Sequence, residues 1–465
     1  MKIKHSDIEI PNDEPFKNCK LDRKQYALIL TQIVANYSDG FVLAIDSKWG
    51  TGKTTFVKMW KKMLENEGYK TLYFNAWVND FDSNPLVAIL SELKTLSTDN
   101  NPNFKSLLKK GAIITQKVFP TVIQAIAEKY IDIKPINDLL KSVSEASVEI
   151  LKDEIDEYTK KKKGLLDFRE SLKTYVESST EKQPLIFIID ELDRCRPTYA
   201  VEVLEQVKHF FNVPGITFVL AIDKVQLSGA INGFYGSDKI NSIEYLRRFI
   251  DIEYTIPEPT TGAFCDYLIN YYQFDEFFMN RLHPDLQGEK AALLKIAKLL
   301  FGKDNTPLRQ QAKILAHARL SLNMVKVNGY LFPELYFLMI YMRDTDREFY
   351  NLIKNKQLSN QELLDRLSSV FPQNLDSYVM INFIYLEADL LRYYENYVNN
   401  GYRESKLLQE VVTGSFTLMV KSSFKSEEAN RTLEQALRNQ ISTRKLEFSL
   451  NVVLEKVDLV QQITN

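Results

Sequence analysis

The sequence predicts an α/β fold: a doubly wound parallel sheet that carries a helical insertion and is followed by an α-helical C-terminal region. Three observations predict it. Five short apolar runs, at 41–45, 70–75, 184–190, 216–222 and 250–256, alternate with segments of helical periodicity, which is the pattern of βα units. The runs beginning at 41, 184 and 216 are apolar at nearly every position rather than every second one, as strands buried on both faces of a parallel sheet must be. Past Pro257-Glu258-Pro259 these runs stop, and aromatic and aliphatic residues recur at three- and four-residue spacings, as in Tyr336, Phe337, Ile340 and Tyr341.

Taken in order, residues 1–20 read as an extended arm, and a helix from about 21–24 to 36 follows, with Ala27, Leu28, Leu30, Ile33 and Val34 giving it a broad apolar surface. Residues 41–65 then form the chemical centre of the chain. An apolar strand leads into Gly50-Thr51-Gly52-Lys53-Thr54, and Phe56, Trp60, Met63 and Leu64 give the helix after it one apolar face, with Gly68 as its stop. Glycines let backbone N–H groups crowd around phosphate oxygens, and the helix start supplies partial positive charge. Lys53 can reach the β- and γ-phosphates, and the Thr54 hydroxyl can ligate Mg²⁺. The strict spacing G-x-x-x-x-G-K-[ST] is not met, because Ser47 stands where the first glycine belongs; it can do so only if the backbone there accepts a Cβ. Ser47, Trp49, Gly50, Thr51, Gly52, Lys53, Thr54 and Thr55 are the expected nucleotide-binding set.

The run at 184–190 ends in Asp190-Glu191. An acid at such a strand end holds the Mg²⁺ shell in nucleotide sites, so Asp190 joins Thr54 as a magnesium ligand, in Walker-B manner, and Glu191 is placed to activate the attacking water. Asp223 closes the run at 216–222, where a polar residue can sense the γ-phosphate. Trp77, directly after the second strand, reads as a core plug. Residues 96–180 look like a helical insertion whose apolar part, 111–127, is interrupted by Gln116, Lys117, Pro120 and Gln124 and so does not suit hydrocarbon. The basic run 160–163 follows the acids of 153–157 and reads as a solvated helix end.

Several separated blocks resemble those of the KAP P-loop NTPases, a STAND-like branch of ATPases. Ser47 to Thr54 looks like that family's W-G-x-G-K-[ST] loop, and Phe74-Asn75-Ala76-Trp77 is similar to its tryptophan-bearing second strand. Asp190-Glu191-Leu192-Asp193-Arg194-Cys195 looks like its D-[DE]-L-D-R-C block; Ala221-Ile222-Asp223, Tyr245 to Phe249 and Leu308-Arg309 match more loosely. The resemblance covers about 20–355 and implies a P-loop NTPase core at 21–258 and a helical lid at 259–356; the arm at 1–20 and a helical accessory or partner region at 357–465 are read from the residues, since the last hundred or so resemble no known family. It implies that the segment with Arg23 and Tyr26 lies beside the adenine, that the Glu191 strand neighbours the Phe41 strand, and that ATP is the substrate with Mg²⁺. It also implies a setting, prokaryotic defence against phages beside a protein effector or by self-association.

Composition narrows the choices. Lys and Arg number 59 against 61 Asp and Glu, and this balance gives no general pull toward nucleic acid or anionic membranes; a nucleic-acid partner stays open but is not indicated. Three scattered cysteines, Cys19, Cys195 and Cys265, fit a reducing cytoplasmic compartment without disulfides or a zinc site, and Cys195 reads as a buried inert thiol. The first residues show no apolar signal core and no window shows an ordinary membrane span. The expected activity is Mg-dependent ATP hydrolysis driving a conformational or assembly switch. The competing reading is an ATP-binding scaffold with negligible turnover. Catalysis is expected from Glu191, Lys53 and Asp223, with Arg248 or Arg309 as the cation that meets the transition-state charge, from a neighbouring subunit or from the lid.

Overall fold

The computed structural model describes residues 8–37, 39–81, 84–97, 101–118, 150–180, 183–236, 241–281, 283–303, 306–326, 328–372, 375–399, 406–412, 415–442 and 448–459. The stretch 119–149, the middle of the expected insertion, lies outside them, as does 1–7 of the expected arm.

Five parallel strands form one sheet: β1 (Val42–Asp46), β2 (Thr71–Asn75), β3 (Leu185–Asp190), β4 (Ile216–Ile222) and β5 (Ile252–Thr255), in the order β2-β3-β4-β1-β5. β3 and β4 are buried at every residue, whereas β2 and β5 alternate, so the two apolar runs take the middle and the two alternating ones the edges. The expectation that the Glu191 strand neighbours the Phe41 strand is therefore corrected. β4 lies between β1 and β3, paired Val42↔Phe218 on one side and Leu185↔Ile216 on the other. A seven-residue strand with no polar face needs a neighbour along both edges, and this position supplies them.

Side chains alternate between the sheet's two faces. Leu43, Ile45, Ile186, Ile188, Val219 and Ala221 meet the helices Lys24–Asn36 and Lys53–Asn66 through Leu30, Val34, Phe56 and Trp60. Leu185, Phe187, Ile189, Phe218 and Leu220 face the opposite layer, formed by Pro85–Lys94, Pro197–His209 and Lys224–Tyr235. In that layer the insertion packs a pair of helices, Pro102–Val118 and Ile150–Ser179, with Phe104 and Tyr175 ring centroids 5.2 Å apart. Lys162 and Lys163 of the basic run are exposed. Among the described residues no helix is long and apolar enough to cross a membrane.

Contacts divide the chain at Pro259 into a unit of Asp7–Glu258 and a second unit containing Pro259–Asn465. The second is organised on Pro333–Thr345, a helix buried on every side from Leu335 to Met342. The unit is helical as expected, with one antiparallel hairpin added, β6 (Leu408–Val412) with β7 (Ser415–Leu418). The strand sequences carry the reason: Val411, Val412, Phe416 and Thr417 are β-branched or aromatic residues that favour strand over helix.

Candidate nucleotide site

All five strands point their carboxyl ends to one edge, where the loops after β1, β3 and β4 converge. β1 enters the phosphate loop after Asp46, and the Ser47 amide donates to Ile222 O of β4 at 3.1 Å. Gly50 and Gly52 both adopt left-handed backbone, at φ 82° and 84°, which gives the loop its two sharp reversals. Gly52 is the residue before the Lys53–Asn66 helix and caps it with no side chain, so the first-turn N–H groups remain free to face an anion. Ser47 has no positive φ and so fits without strain where a glycine was expected. Its hydroxyl lies 2.6 Å from Thr51 Oγ1, whose own proton goes to Lys48 O at 2.9 Å, and the pair closes the loop on itself.

Lys53 is buried and donates to Ser47 O at 2.7 Å. Burial lowers its pKa, and Asp193, Asp223, Asp190 and Asp46 oppose that shift. Asp190 is fully buried: its Oδ2 accepts from Tyr73 Oη at 2.8 Å, its Oδ1 from the Glu191 amide at 2.8 Å, and it is hydrogen-bonded by Thr54. Burial raises its pKa while Tyr73 and Thr54 counter, and the tyrosine hydroxyl is itself pushed well above its ordinary value by burial and by Asp190. Thr54 and Asp190, the two expected magnesium ligands, are thus in contact. One hydroxyl and one carboxylate suit an ion that keeps most of its shell as water and substrate phosphate. No cluster of three or more His, Cys, Asp or Glu side chains able to hold a metal occurs among the described residues.

Glu191 sits at φ 61°, a left-handed conformation that costs a residue with a Cβ on the order of 1 kcal/mol. Its carboxylate accepts from Asn75 Nδ2 at 2.9 Å and pairs with Arg194 at 2.6 Å. Arg194 in turn lies over the Trp77 ring, 5.6 Å from its centroid. Trp77 is 53% exposed, so the expected core plug is corrected: Ala76 points inward at this turn, and the indole lies outward under the guanidinium.

Trp49 joins the loop to the later strands. Its indole N–H donates to Asp193, on the short turn Leu192–Arg194, and its amide donates to Asp223 Oδ2 at 3.1 Å. Asp223, expected as a γ-phosphate sensor, spends its other oxygen capping the Lys224–Tyr235 helix at Gln226 N, 3.2 Å away. Thr55 is half-buried as the third residue of its helix. Arg23 is buried and donates to Thr51 O at 2.7 Å; a Cβ on Gly52 would come 3.3 Å from its Nη1. Tyr26 is partly buried against the apolar cluster shared by the sheet and the helices Lys24–Asn36 and Lys53–Asn66. Cys195 is buried beside Glu191 O at 3.6 Å, and burial pushes its thiol far up.

The sequence reading did not find Asn75 and Tyr73, which reach the acids from β2, and gave Asp193 and Arg23 only secondary places. Asn75 directly follows Phe74 at a strand's carboxyl end, which is the signal that was available.

The expected arginines belong to both units. Arg248 is exposed and precedes β5, whose start is level with the start of β1: Asp251 N donates to Val42 O at 2.9 Å. From Val42 to Asp46 are four steps of about 3.3 Å, roughly 13 Å, before the phosphate loop begins. Arg248 thus stands at the sheet edge opposite its own loop, a position from which only the expected role toward a neighbouring subunit's phosphate is open to it. Arg247 pairs with Glu244. Arg309 is exposed at the start of Leu308–Ser321, in the other unit.

Comparison with known proteins bears on this arrangement. No curated protein matches the chain. Among solved structures, a chain of the Aeropyrum pernix ORC2 protein (ADPNP-ADP complexes) is 16% identical, with 90% of this chain and 95% of that chain covered and a TM-score of 0.35. A chain of Drosophila ORC bound to DNA is 11% identical, with 97% and 87% covered and a TM-score of 0.34. The KAP family P-loop domain matches residues 23–368, a span that takes in the loop at Lys53, the acids at Asp190 and Glu191 and all five strands. By that match, over most of its length, the chain belongs to the KAP family of P-loop domain proteins.

Proposed function

We propose that the chain hydrolyses Mg·ATP at this site and uses the cycle to switch its conformation or assembly. The observation that carries the reading is the contact of Thr54 with Asp190 directly beside the uncapped start of the Lys53 helix. On binding, Lys53 leaves Ser47 O for the β- and γ-phosphate oxygens, and the first-turn amides take the remaining charge. Thr54 and Asp190 would hold Mg²⁺, which would supply positive charge against the phosphate charge that develops in the reaction. Glu191 then takes the proton of a water that attacks the γ-phosphorus in line, and the bond from that phosphorus to the β-bridging oxygen breaks, releasing ADP.

Glu191 cannot do this while Asn75 and Arg194 occupy its carboxylate, so turnover requires its release. That engagement also supports a second reading, an ATP-binding scaffold that turns over negligibly because its base stays held. Kinship supports the setting: prokaryotic defence against phages, with a protein effector or further copies of the chain as partner. A turnover assay with and without Mg²⁺, on the native chain and on Glu191→Gln, tests the activity. Magnesium-dependent phosphate release that the substitution slows roughly a hundredfold supports hydrolysis. ATP-dependent thermal stabilisation without phosphate release selects the scaffold.

A further inference from the structure

The Pro259–Asn465 unit holds a cavity of about 470 Å³ beside the helices Leu308–Ser321 and Pro333–Thr345. Part of its wall is apolar, with Ile314, Leu320 and Ile340. The rest is cationic, with Arg309 and Lys313 one turn apart on the first helix and Arg343 and Arg347 on the other side. Asp344 is the one acid in the lining, and it is already paired with Lys313 at 2.9 Å. Arg343 reaches Asp458 at 3.2 Å, but that carboxylate also takes Lys354 at 2.6 Å. Arg309 and Arg347 are exposed and make no ion pair or hydrogen bond among the described residues. His317 adds no cation at neutral pH, because burial, with Arg343 beside it, lowers its pKa.

Four cations therefore line a concave space that holds one acid, and two of them are unspent. Guanidinium groups present planar forks that match phosphate oxygens, and they repel one another at close quarters unless an anion lies between them. The volume falls in the range of about 300–1,000 Å³ typical of small-ligand pockets. A partly apolar wall suits the carbon skeleton of a compact ligand better than the extended basic track a nucleic-acid strand needs.

We propose that this cavity binds a small phosphorylated organic molecule, its phosphate held by Arg309, Lys313 and Arg347 and its apolar part laid on Ile314 and Ile340. Every residue of the lining belongs to the Pro259–Asn465 unit, and none to the phosphate loop.

Inorganic pyrophosphate is the probe, titrated calorimetrically into full-length Lys53→Ala protein so that the loop's principal cation is gone. Binding is expected, and Lys313→Glu with Arg347→Glu on the same background should weaken it by at least about tenfold with an unchanged melting temperature, since both side chains are exposed. Absence of pyrophosphate binding to Lys53→Ala protein, or binding indifferent to the two charge reversals, overturns the proposal. So does a short single-stranded oligonucleotide that binds more tightly than pyrophosphate with the same dependence on Lys313 and Arg347. If Lys53→Ala retains ATP at the loop, the phosphate-loop reading fails, while the effect of the charge reversals on pyrophosphate still decides this one.

Discussion

Lys53 and Glu191 are both held in contacts they must leave in order to act. Lys53 rests on Ser47 O and Glu191 on Asn75 and Arg194, so each substitution has a distinct signature. Lys53→Ala removes an ammonium that lies near Asp46, Asp190, Asp193 and Asp223; ATP affinity should fall by about a hundredfold or more, read as loss of ATP-dependent thermal stabilisation. Stabilisation equal to that of the native chain would refute the assignment. Asn75→Ala frees one side of Glu191 while leaving Asp190 bonded to Tyr73, and it should raise basal turnover by a few-fold without altering ATP affinity, a split that steady-state kinetics resolves. A drop in turnover would mean that Asn75 positions the base rather than restrains it.

At the scale of elements, one junction in the C-terminal unit makes stability depend on pH. Glu387, on the helix Ser377–Val398, is fully buried and accepts from Ser422 Oγ at 2.7 Å and from the Ser423 amide at 3.1 Å. Burial raises its pKa to about 7 against the serine hydrogen bonds, which lower it. The folded chain therefore binds this proton more tightly than the unfolded chain does. Stability present below the unfolded value near 4.5 is lost as pH rises through about 7, by on the order of 3 kcal/mol. Glu387→Gln should remove that slope, so urea midpoints of variant and native chain should diverge in the variant's favour from pH 5 to pH 8. Parallel profiles would show that Glu387 does not titrate in this window. Among the strands, burial tells edge from centre: the alternating β2 and β5 lie outside and the wholly buried β3 and β4 inside.

For the whole molecule, the position of Arg248 at the sheet edge opposite its own phosphate loop leaves it one route to a transferred phosphate, the site of another copy. If it takes that route, specific activity should rise with protein concentration, and Arg248→Ala should be partly complemented by Lys53→Ala in mixed assemblies, since each supplies what the other lacks. Activity strictly proportional to concentration, with no complementation, would return Arg248 to the surface and leave Arg309 as the candidate cation.

The sequence by itself determined the local units: the five strands, the glycine turn before Lys53, the acids closing β3, and the long apolar helix at 333–345. Each is written in neighbouring residues, through periodicity, turn chemistry and a strand's polar terminus. Only the tertiary structure decided which strand lies beside which, because several equally apolar runs satisfy the same pattern and their order follows from mutual register. The same holds for the contacts that set the site's resting state: Asn75 to Glu191 is 116 residues apart, Trp49 to Asp193 is 144, and Arg23 to Thr51 is 28. A side chain's partner across such distances depends on how two surfaces meet, and no local propensity encodes that meeting.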